Sequence, residues 1–277
     1  MGSKIAKTRI GEIEYQITGS GTPILFVHGG HSNCYETLAH KGFDTDNYQL
    51  INPSRPGYGK TPLKHFETPE QASDLIVALL DSLGIKEVIV YGISAGGLTA
   101  LELAAKYPSR VSKLVMASAI SKEWLDKNGK VYKAAKKMFH PKMEKYTWAI
   151  IRFFAKLFPR MIANSFYPQF SKKSAHPLNK REIDALIASF KHMNSKTGFM
   201  NDIEQNIDDH ILSRITCPTL IIHSENDNSV SIDHANHAHQ MIKNSSLEII
   251  NNEWGHLFWI GKDSNDIIQK TIRFIEE

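Results

Sequence analysis

The sequence contains few cysteines, no long uncharged apolar run and no large excess of one charge. Cys34 and Cys217 are the only cysteines in 277 residues, so the chain lacks the character of a small disulfide-stabilised secreted domain, and a reducing compartment is expected. The first ten residues alternate charged and apolar side chains, unlike a signal peptide. Ala6 stands where a myristoylation signal has serine or threonine. We therefore expect a cytoplasmic protein.

The charge balance disfavours nucleic acid as a partner. The formal net charge at pH 7 is only +4, with no basic tail and no interleaved array of basic and aromatic side chains. An apolar content of 42% is enough to build a large core. We expect one catalytic domain with an insertion, acting on a small molecule; the sequence does not indicate the oligomeric state.

Five apolar runs predict the strands of a parallel sheet. They are residues 23–28, 48–52, 87–91, 114–117 and 219–223. Strands that are apolar on both faces belong inside a parallel sheet covered by helices. Residues 5–10 and 12–18 instead alternate in polarity, which predicts antiparallel strands at a sheet edge.

Amphipathic stretches separate these runs and predict helices over 69–83, 95–106, 231–242 and 263–276. Strand, tight turn and helix repeated in this way are typical of an α/β fold with an open, doubly wound and mostly parallel sheet. The alternation stops between residues 119 and 216, where helical patterns dominate. The prediction is a core of residues 1–118 and 217–277 with a helical cap inserted at 119–216.

The most apolar part of the predicted cap, residues 146–166, is interrupted by Arg152, Lys156 and Arg160. A membrane span needs roughly 20 residues nearly free of charge, so stable membrane insertion is not expected. The favoured interpretation is a cap helix whose aromatic face covers the active site, and the alternative is an interfacial helix lying on anionic lipid. On the favoured interpretation, four aromatic residues indicate an apolar acyl or alcohol group: Trp148, Phe153, Phe154 and Phe158.

The segment Gly92-Ile-Ser-Ala-Gly96 lies between an apolar run and a predicted helix. A serine hydroxyl is a poor nucleophile unless a base can reach it and its attack has an oxyanion stabiliser. A sharp strand-to-helix turn presents Ser94 in this way, and the following helix offers the N–H of Ala95 to the reacting oxygen. Ser94 is the predicted nucleophile.

A second glycine-containing segment, His28-Gly29-Gly30-His31, follows the run 23–28. Its backbone can approach the site closely, and the N–H of Gly30 is the predicted second oxyanion donor. His28 is expected to be a hydrogen-bonded structural histidine, whereas His31 is a candidate for the pocket lining.

The remaining catalytic candidates follow the last two predicted strands. Glu225 and Asp227 both lie in the loop after residue 223, and Asp227 is favoured because it is farther from the strand end. His256, in Glu253-Trp-Gly-His-Leu-Phe258, follows an apolar run at 247–250 and can swing over the sheet toward Ser94.

The chain resembles the α/β-hydrolase superfamily over its whole length apart from the cap. The resemblance is carried by the chain order Ser94, Asp227, His256, by the Gly30 loop and by Arg55-Pro-Gly-Tyr-Gly59. The resemblance to its esterase and lactonase-type members implies an α/β-hydrolase fold and no metal or organic cofactor. It implies a serine hydrolase cleaving a carboxylic ester; lactone, thioester or carbon–carbon bond cleavage, acyl transfer to an acceptor other than water, and perhydrolysis remain open. A ligand receptor retaining a slow hydrolase activity is the alternative from another class.

The predicted helix 231–242 carries three histidines, a residue type that often binds metal ions in clusters. His234 and His237 align on one face, but His239 turns away from them. A solvated helix is therefore predicted here and no metal site is expected.

Overall fold

The computed structural model describes residues 2–173 and 177–277 and contains an eight-stranded sheet. The strands are β1 (Lys4–Lys7), β2 (Glu12–Thr18), β3 (Thr22–Val27), β4 (Tyr48–Pro53), β5 (Val88–Ile93), β6 (Val111–Ala117), β7 (Thr219–Ser224) and β8 (Ser245–Ile250). Their order across the sheet is β1-β2-β4-β3-β5-β6-β7-β8. Each predicted apolar run coincides with one of these strands.

Only β2 runs against the rest of the sheet. It pairs antiparallel with β1 on one side and with β4 on the other, whereas every pairing from β4 through β3 to β8 is parallel. The strand order reverses beside β3, which lies between β4 and β5. In open α/β sheets the crevice at such a reversal, outside the carboxyl ends of the strands, is where ligands bind.

Helices cover both faces of the sheet. These are α1 (Pro69–Ser82), α2 (Gly97–Lys106), α9 (Asp233–Met241) and α10 (Ser264–Glu276). Alternate strand residues point to opposite faces, so Leu25 packs in the core formed with α1, α2 and α9, and Phe26 packs in the core formed with α10. The start of α1 is fixed by a capping box between Thr68 and Gln71, with a proline at the first helical position.

In the described part of the predicted cap, six α-helices lie between β6 and β7. They are α3 (Lys130–Met138), α4 (Glu144–Leu157), α5 (Pro159–Phe170), α6 (Lys180–Ser189), α7 (Gly198–Asp202) and α8 (Asp209–Ser213). Part of this region shares an apolar cluster with Trp254 and Ile260 of the core. The indole N–H of Trp254 also donates to Glu182 of α6 at 3.0 Å. The boundaries at 118/119 and 216/217 stay a prediction.

The expectation that the aromatic face of the 146–166 segment covers the active site is wrong for three of the four aromatic residues named for it. Trp148 is buried, but Phe153, Phe154 and Phe158 point to solvent with exposed fractions of 60%, 40% and 51%. The pattern misled because α4 carries apolar side chains on opposite faces and only one of them packs inward. In the part of the chain that the structure describes, no helix combines the length and apolarity that a membrane crossing requires.

A buried ion pair connects α7 to the core. The guanidinium of Arg55, in the loop after β4, donates from Nη1 and Nη2 to the two carboxylate oxygens of Asp202, both at 2.7 Å. The hydroxyl of Tyr58 donates to the same carboxylate at 2.6 Å. Both charged residues are 2% exposed, so each charge relies on the other for compensation.

Helix α9 departs from the prediction of a solvated histidine helix. His239 is exposed, but His234 is only 4% exposed and its Nδ1 accepts the backbone N–H of Ser121 at 3.1 Å. Burial, and to a smaller extent the positive charge of Lys122, lower the pKa of His234 to about 4. The histidine is therefore neutral in the native protein at pH 7.

Replacing Asp202 should destabilise the protein strongly, because the guanidinium of Arg55 would stay buried without its counter-charge. Asp202→Leu is expected to lower the free energy of unfolding by about 3–5 kcal/mol in urea titrations. Adding Arg55→Met should recover part of that loss, and Tyr58→Phe, which keeps the ion pair, should cost about 2 kcal/mol. A double variant less stable than Asp202→Leu alone would contradict this account.

The neutral state of His234 predicts a stability that decreases in acid. The unfolded chain takes up this proton near pH 6.5 and the native chain only near pH 4, so stability falls as the pH drops through that window. Between pH 7 and pH 5 the loss from this residue is about 2 kcal/mol. His234→Gln should remove that part of the pH dependence, measured by urea unfolding at both pH values. His239→Gln on the exposed side of α9 is the control, and an equal change in both variants would refute the assignment.

Candidate active site

Ser94 lies in a sharp turn between β5 and α2. Its φ of +49° places it in the left-handed region, which costs a non-glycine residue about 1–3 kcal/mol and is commonly found at functional sites. A single 3₁₀ turn over Ser94–Gly96 then leads into α2. Gly96 is required because a Cβ there would lie 2.2 Å from the carbonyl oxygen of Val27 in β3. The turn is therefore pressed against the end of the neighbouring strand.

The imidazole of His256 lies between the side chains of Ser94 and Asp227. His256 Nδ1 donates to Asp227 Oδ2 at 2.8 Å, which leaves Nε2 to accept the Ser94 hydroxyl at 3.0 Å. Asp227 is 1% exposed, and Ser94 and His256 are each 7% exposed. The structure thus brings the three residues together in a continuous hydrogen-bonded chain shielded from water.

Backbone donors fix the carboxylate of Asp227. Its Oδ1 accepts the N–H groups of Ser229 and Val230, both at 2.8 Å. Glu225, the alternative acid, has its side chain exposed to solvent. The loop that carries His256 packs tightly against the residue before Ser171. A Cβ at Gly255, whose φ is +52°, would meet the carbonyl oxygen of Phe170 at 2.4 Å.

The electrostatic environment keeps Asp227 ionised. Burial raises the pKa of this carboxyl, but the charge and hydrogen bond of His256, with smaller contributions from His223 and the Val230 N–H, bring the pKa below its ordinary value. His223 was missed in the sequence. Its Nε2 lies 3.0 Å from the Val230 carbonyl oxygen and 3.3 Å from Asp227 Oδ2. The only signal was its position at the end of β7, four residues before Asp227.

The loop after β3 lies directly beside Ser94. A methyl group built on Gly29 would lie 2.9 Å from Ser94 Cβ, and one built on Gly30 would lie 3.8 Å from the Ala95 methyl. Gly30 and Ala95, the two predicted oxyanion donors, are therefore neighbours next to the serine. Arg55 secures this loop, since its Nε donates to the carbonyl of His28 at 2.7 Å.

His28 supports the loop from inside. Its Nδ1 donates to the carbonyl of Gly29 at 2.8 Å, and its Nε2 accepts the backbone N–H of Arg55 at 2.9 Å. Burial and the charge of Arg55 lower the pKa of His28 well below its ordinary value. The ring is therefore neutral, and both of its nitrogens are hydrogen-bonded, as expected for a structural histidine.

An aromatic cluster packs against the Gly30 loop. The ring of His31 stacks on Phe199 at 3.8 Å between centroids and contacts Phe139 at 4.2 Å and Trp148 at 5.3 Å. Burial lowers the pKa of His31 to about 3, so it is an uncharged member of the cluster. Phe139 and Phe199 were not singled out in the sequence, because only tertiary packing distinguishes them from the exposed aromatic residues of α4.

Among residues 2–173 and 177–277, no group of three or more histidine, cysteine, aspartate or glutamate side chains is arranged to hold a metal ion. The groups that the site brings together are the hydroxyl of Ser94, the imidazole of His256 and the carboxylate of Asp227. A poised hydroxyl, a base that can take its proton and an ionised acid behind the base are the parts required for nucleophilic catalysis.

Comparisons with known proteins agree with this architecture. A family model described as the alpha/beta hydrolase fold matches residues 22–263. The uncharacterized hydrolase YcgS of Bacillus subtilis (strain 168) is 38% identical over 276 residues, covering 96% of this chain and 95% of the relative. Human serine hydrolase BPHL is 27% identical over 246 residues, covering 86% of this chain and 75% of the relative. A solved alpha/beta hydrolase fold protein from Nakamurella multipartita superposes with a TM-score of 0.83 at 28% identity, covering 99% and 98% of the two chains. The chain belongs to the α/β-hydrolase family and is a hydrolase.

Proposed function

We propose that this protein is a serine hydrolase that cleaves small carboxylic esters through an acyl-enzyme at Ser94. The observation that carries the proposal is the buried chain of hydrogen bonds from Asp227 through His256 to Ser94, at 2.8 and 3.0 Å. The similarity to a human protein named as a serine hydrolase supports a serine nucleophile.

In the acylation step, Ser94 Oγ attacks the ester carbonyl carbon while His256 Nε2 takes the hydroxyl proton. The carbonyl oxygen becomes an oxyanion, which the N–H groups of Gly30 and Ala95 stabilise. The intermediate collapses, its bond to the alcohol oxygen breaks, and His256 returns the proton to the leaving alcohol. Asp227 stabilises the imidazolium that exists between these proton transfers.

Deacylation repeats the sequence with water in the place of the serine. His256 takes a proton from water, whose oxygen attacks the acyl carbon, and then protonates Ser94 Oγ as the acyl–serine bond breaks. The products are a carboxylic acid and the regenerated enzyme. Every proton transfer passes through Nε2. Nδ1 must therefore keep its own proton, and its hydrogen bond to Asp227 maintains that tautomer.

The surroundings of the oxyanion loop favour an apolar substrate. The ring of Phe199 lies 3.2 Å from the position that a Cβ on Gly30 would occupy, so apolar ring carbons lie beside the proposed oxyanion donor. Trp148 and Phe139 extend this apolar surface through His31. We therefore propose that esters with an apolar acyl or alcohol group are hydrolysed in preference to charged ones.

Ser94→Ala should abolish turnover of short p-nitrophenyl esters. Removal of the nucleophile is expected to lower kcat roughly 10⁴- to 10⁶-fold, because only the oxyanion donors and substrate binding remain. The measurement is release of p-nitrophenol across a series of acyl chain lengths, with charged and uncharged acyl groups compared.

The matched control is Ser73→Ala, which removes a buried hydroxyl from α1 without touching the site. Its kcat should stay within about twofold of the parent because its hydroxyl donates to the carbonyl of Glu70 in the same helix, away from the site. Equal activity of the Ser94→Ala and parent proteins would refute the acyl-enzyme mechanism. Stoichiometric turnover by the parent would instead favour a receptor.

A further inference from the structure

Helix α4 is apolar on two opposite faces. Its inward face carries Trp148 and Ala155, which are 3% and 2% exposed and pack in the cap cluster. Residues 146, 150, 153 and 157 follow one another at spacings of four and three, so they share the face on the opposite side of the helix. Among the residues that the structure describes, these side chains stay largely exposed to solvent.

The outer apolar face continues from α4 into the start of α5. Its members have exposed fractions between 40% and 60%: Tyr146, Ile150, Phe153, Phe154, Leu157, Phe158 and Met161. The three phenylalanines lie beside one another, with ring centroids 5.4 Å apart for Phe153 and Phe154 and 6.5 Å apart for Phe154 and Phe158. A contiguous exposed patch of large apolar side chains marks an interaction surface.

The charge around the outer apolar face has one sign. Residues 130–161 contain nine basic residues and a single acidic one, a formal net charge of +8 in a chain whose total is +4. The acidic residue, Glu144, is 6% exposed and accepts the backbone N–H of Ser195 at 3.0 Å, so it points inward. The surroundings of the face are therefore strongly cationic.

The positions of the basic residues fit a helix lying flat on a surface. Lys145 and Lys156 are exposed and share one flank of α4, at a spacing of eleven, between the inward and the outer face. Arg152 lies on the same flank, but its Nη1 donates to the carbonyl of Met193 at 2.8 Å. Long basic side chains on a flank can reach toward a charged plane while the apolar face enters it. This is the arrangement of interfacial helices that bind lipid headgroups.

We propose that the outer apolar face of α4 and α5 docks this protein on an anionic lipid surface, without spanning it. A second copy of the chain is a poor occupant, because a symmetric contact would place two such cationic stretches against each other. An anionic bilayer complements both the apolar side chains and the surrounding lysines. The proposal does not depend on the reaction at Ser94.

The test is co-sedimentation of the full chain with vesicles of phosphatidylcholine alone and of phosphatidylcholine mixed with phosphatidylglycerol. We expect binding to the mixed vesicles only, and its loss at about 1 M salt, where the Debye length is about 3 Å. Phe153→Ser with Leu157→Ser should weaken the partition coefficient roughly tenfold or more. Lys145→Glu with Lys156→Glu, on the flank of α4, should have a similar effect.

Two control pairs carry the same substitutions on exposed positions outside the cap. Ile5→Ser with Ile249→Ser and Lys64→Glu with Lys243→Glu should leave vesicle binding nearly unchanged. Far-UV circular dichroism and thermal unfolding of all variants check that they are folded, independently of any activity. Equal binding to both vesicle types, or undiminished binding of the Phe153 and Lys145 pairs, would overturn the proposal. Dimers that Phe153→Ser with Leu157→Ser dissociates, without vesicle binding, would assign the face to a second copy and also overturn it.

Discussion

The contact between Ser94 and His256 depends on strands that all end at one edge of the sheet. Ser94 follows β5, Asp227 follows β7 and His256 follows β8, and these strands lie on the same side of the strand-order reversal. Parallel pairing places their carboxyl ends together, so residues 162 positions apart can share a 3.0 Å hydrogen bond. The apolar residues on both faces of each strand hold this edge in place, because the helices that cover them leave no room for a shift in register.

Close packing around the site strains the backbone at Ser94, and contacts within the neighbouring loop offset that cost in free energy. Ser94 has a strained backbone, and the loop beside it contains adjacent glycines with a neutral buried histidine beneath them. The bidentate pair of Arg55 and Asp202 fixes the same loop from the side of α7. Rigid surroundings of this kind let N–H groups and an imidazole be oriented before a substrate arrives, which is how electrostatic preorganisation lowers a barrier.

Local patterns in the sequence predicted the sheet and the order of its helices well. Apolar runs and glycine-bounded turns are set by neighbouring residues, so β5, the turn at Ser94 and α2 could be placed without coordinates. The orientation of α4 could not be predicted in this way. Its sequence is apolar on opposite faces, and periodicity does not say which face packs inward. The roles of Asp202 and Phe199 were missed for a related reason: each acts through partners that are distant in sequence, and no local pattern marks those pairs. His223 was missed although Asp227 is only four residues away, because the contact depends on how the loop after β7 folds back.

The resulting picture is a hydrolase whose site is buried between a rigid parallel sheet and a region of helices, one face of which is apolar and turned to solvent. Its central claim is that Ser94 is the residue that becomes covalently attached to substrate. The direct measurement is labelling with a fluorophosphonate, followed by peptide mapping by mass spectrometry. The account predicts one modified peptide, carrying the label on Ser94, and no labelling after heat denaturation. A label on another serine, or no label on the active protein, would contradict it.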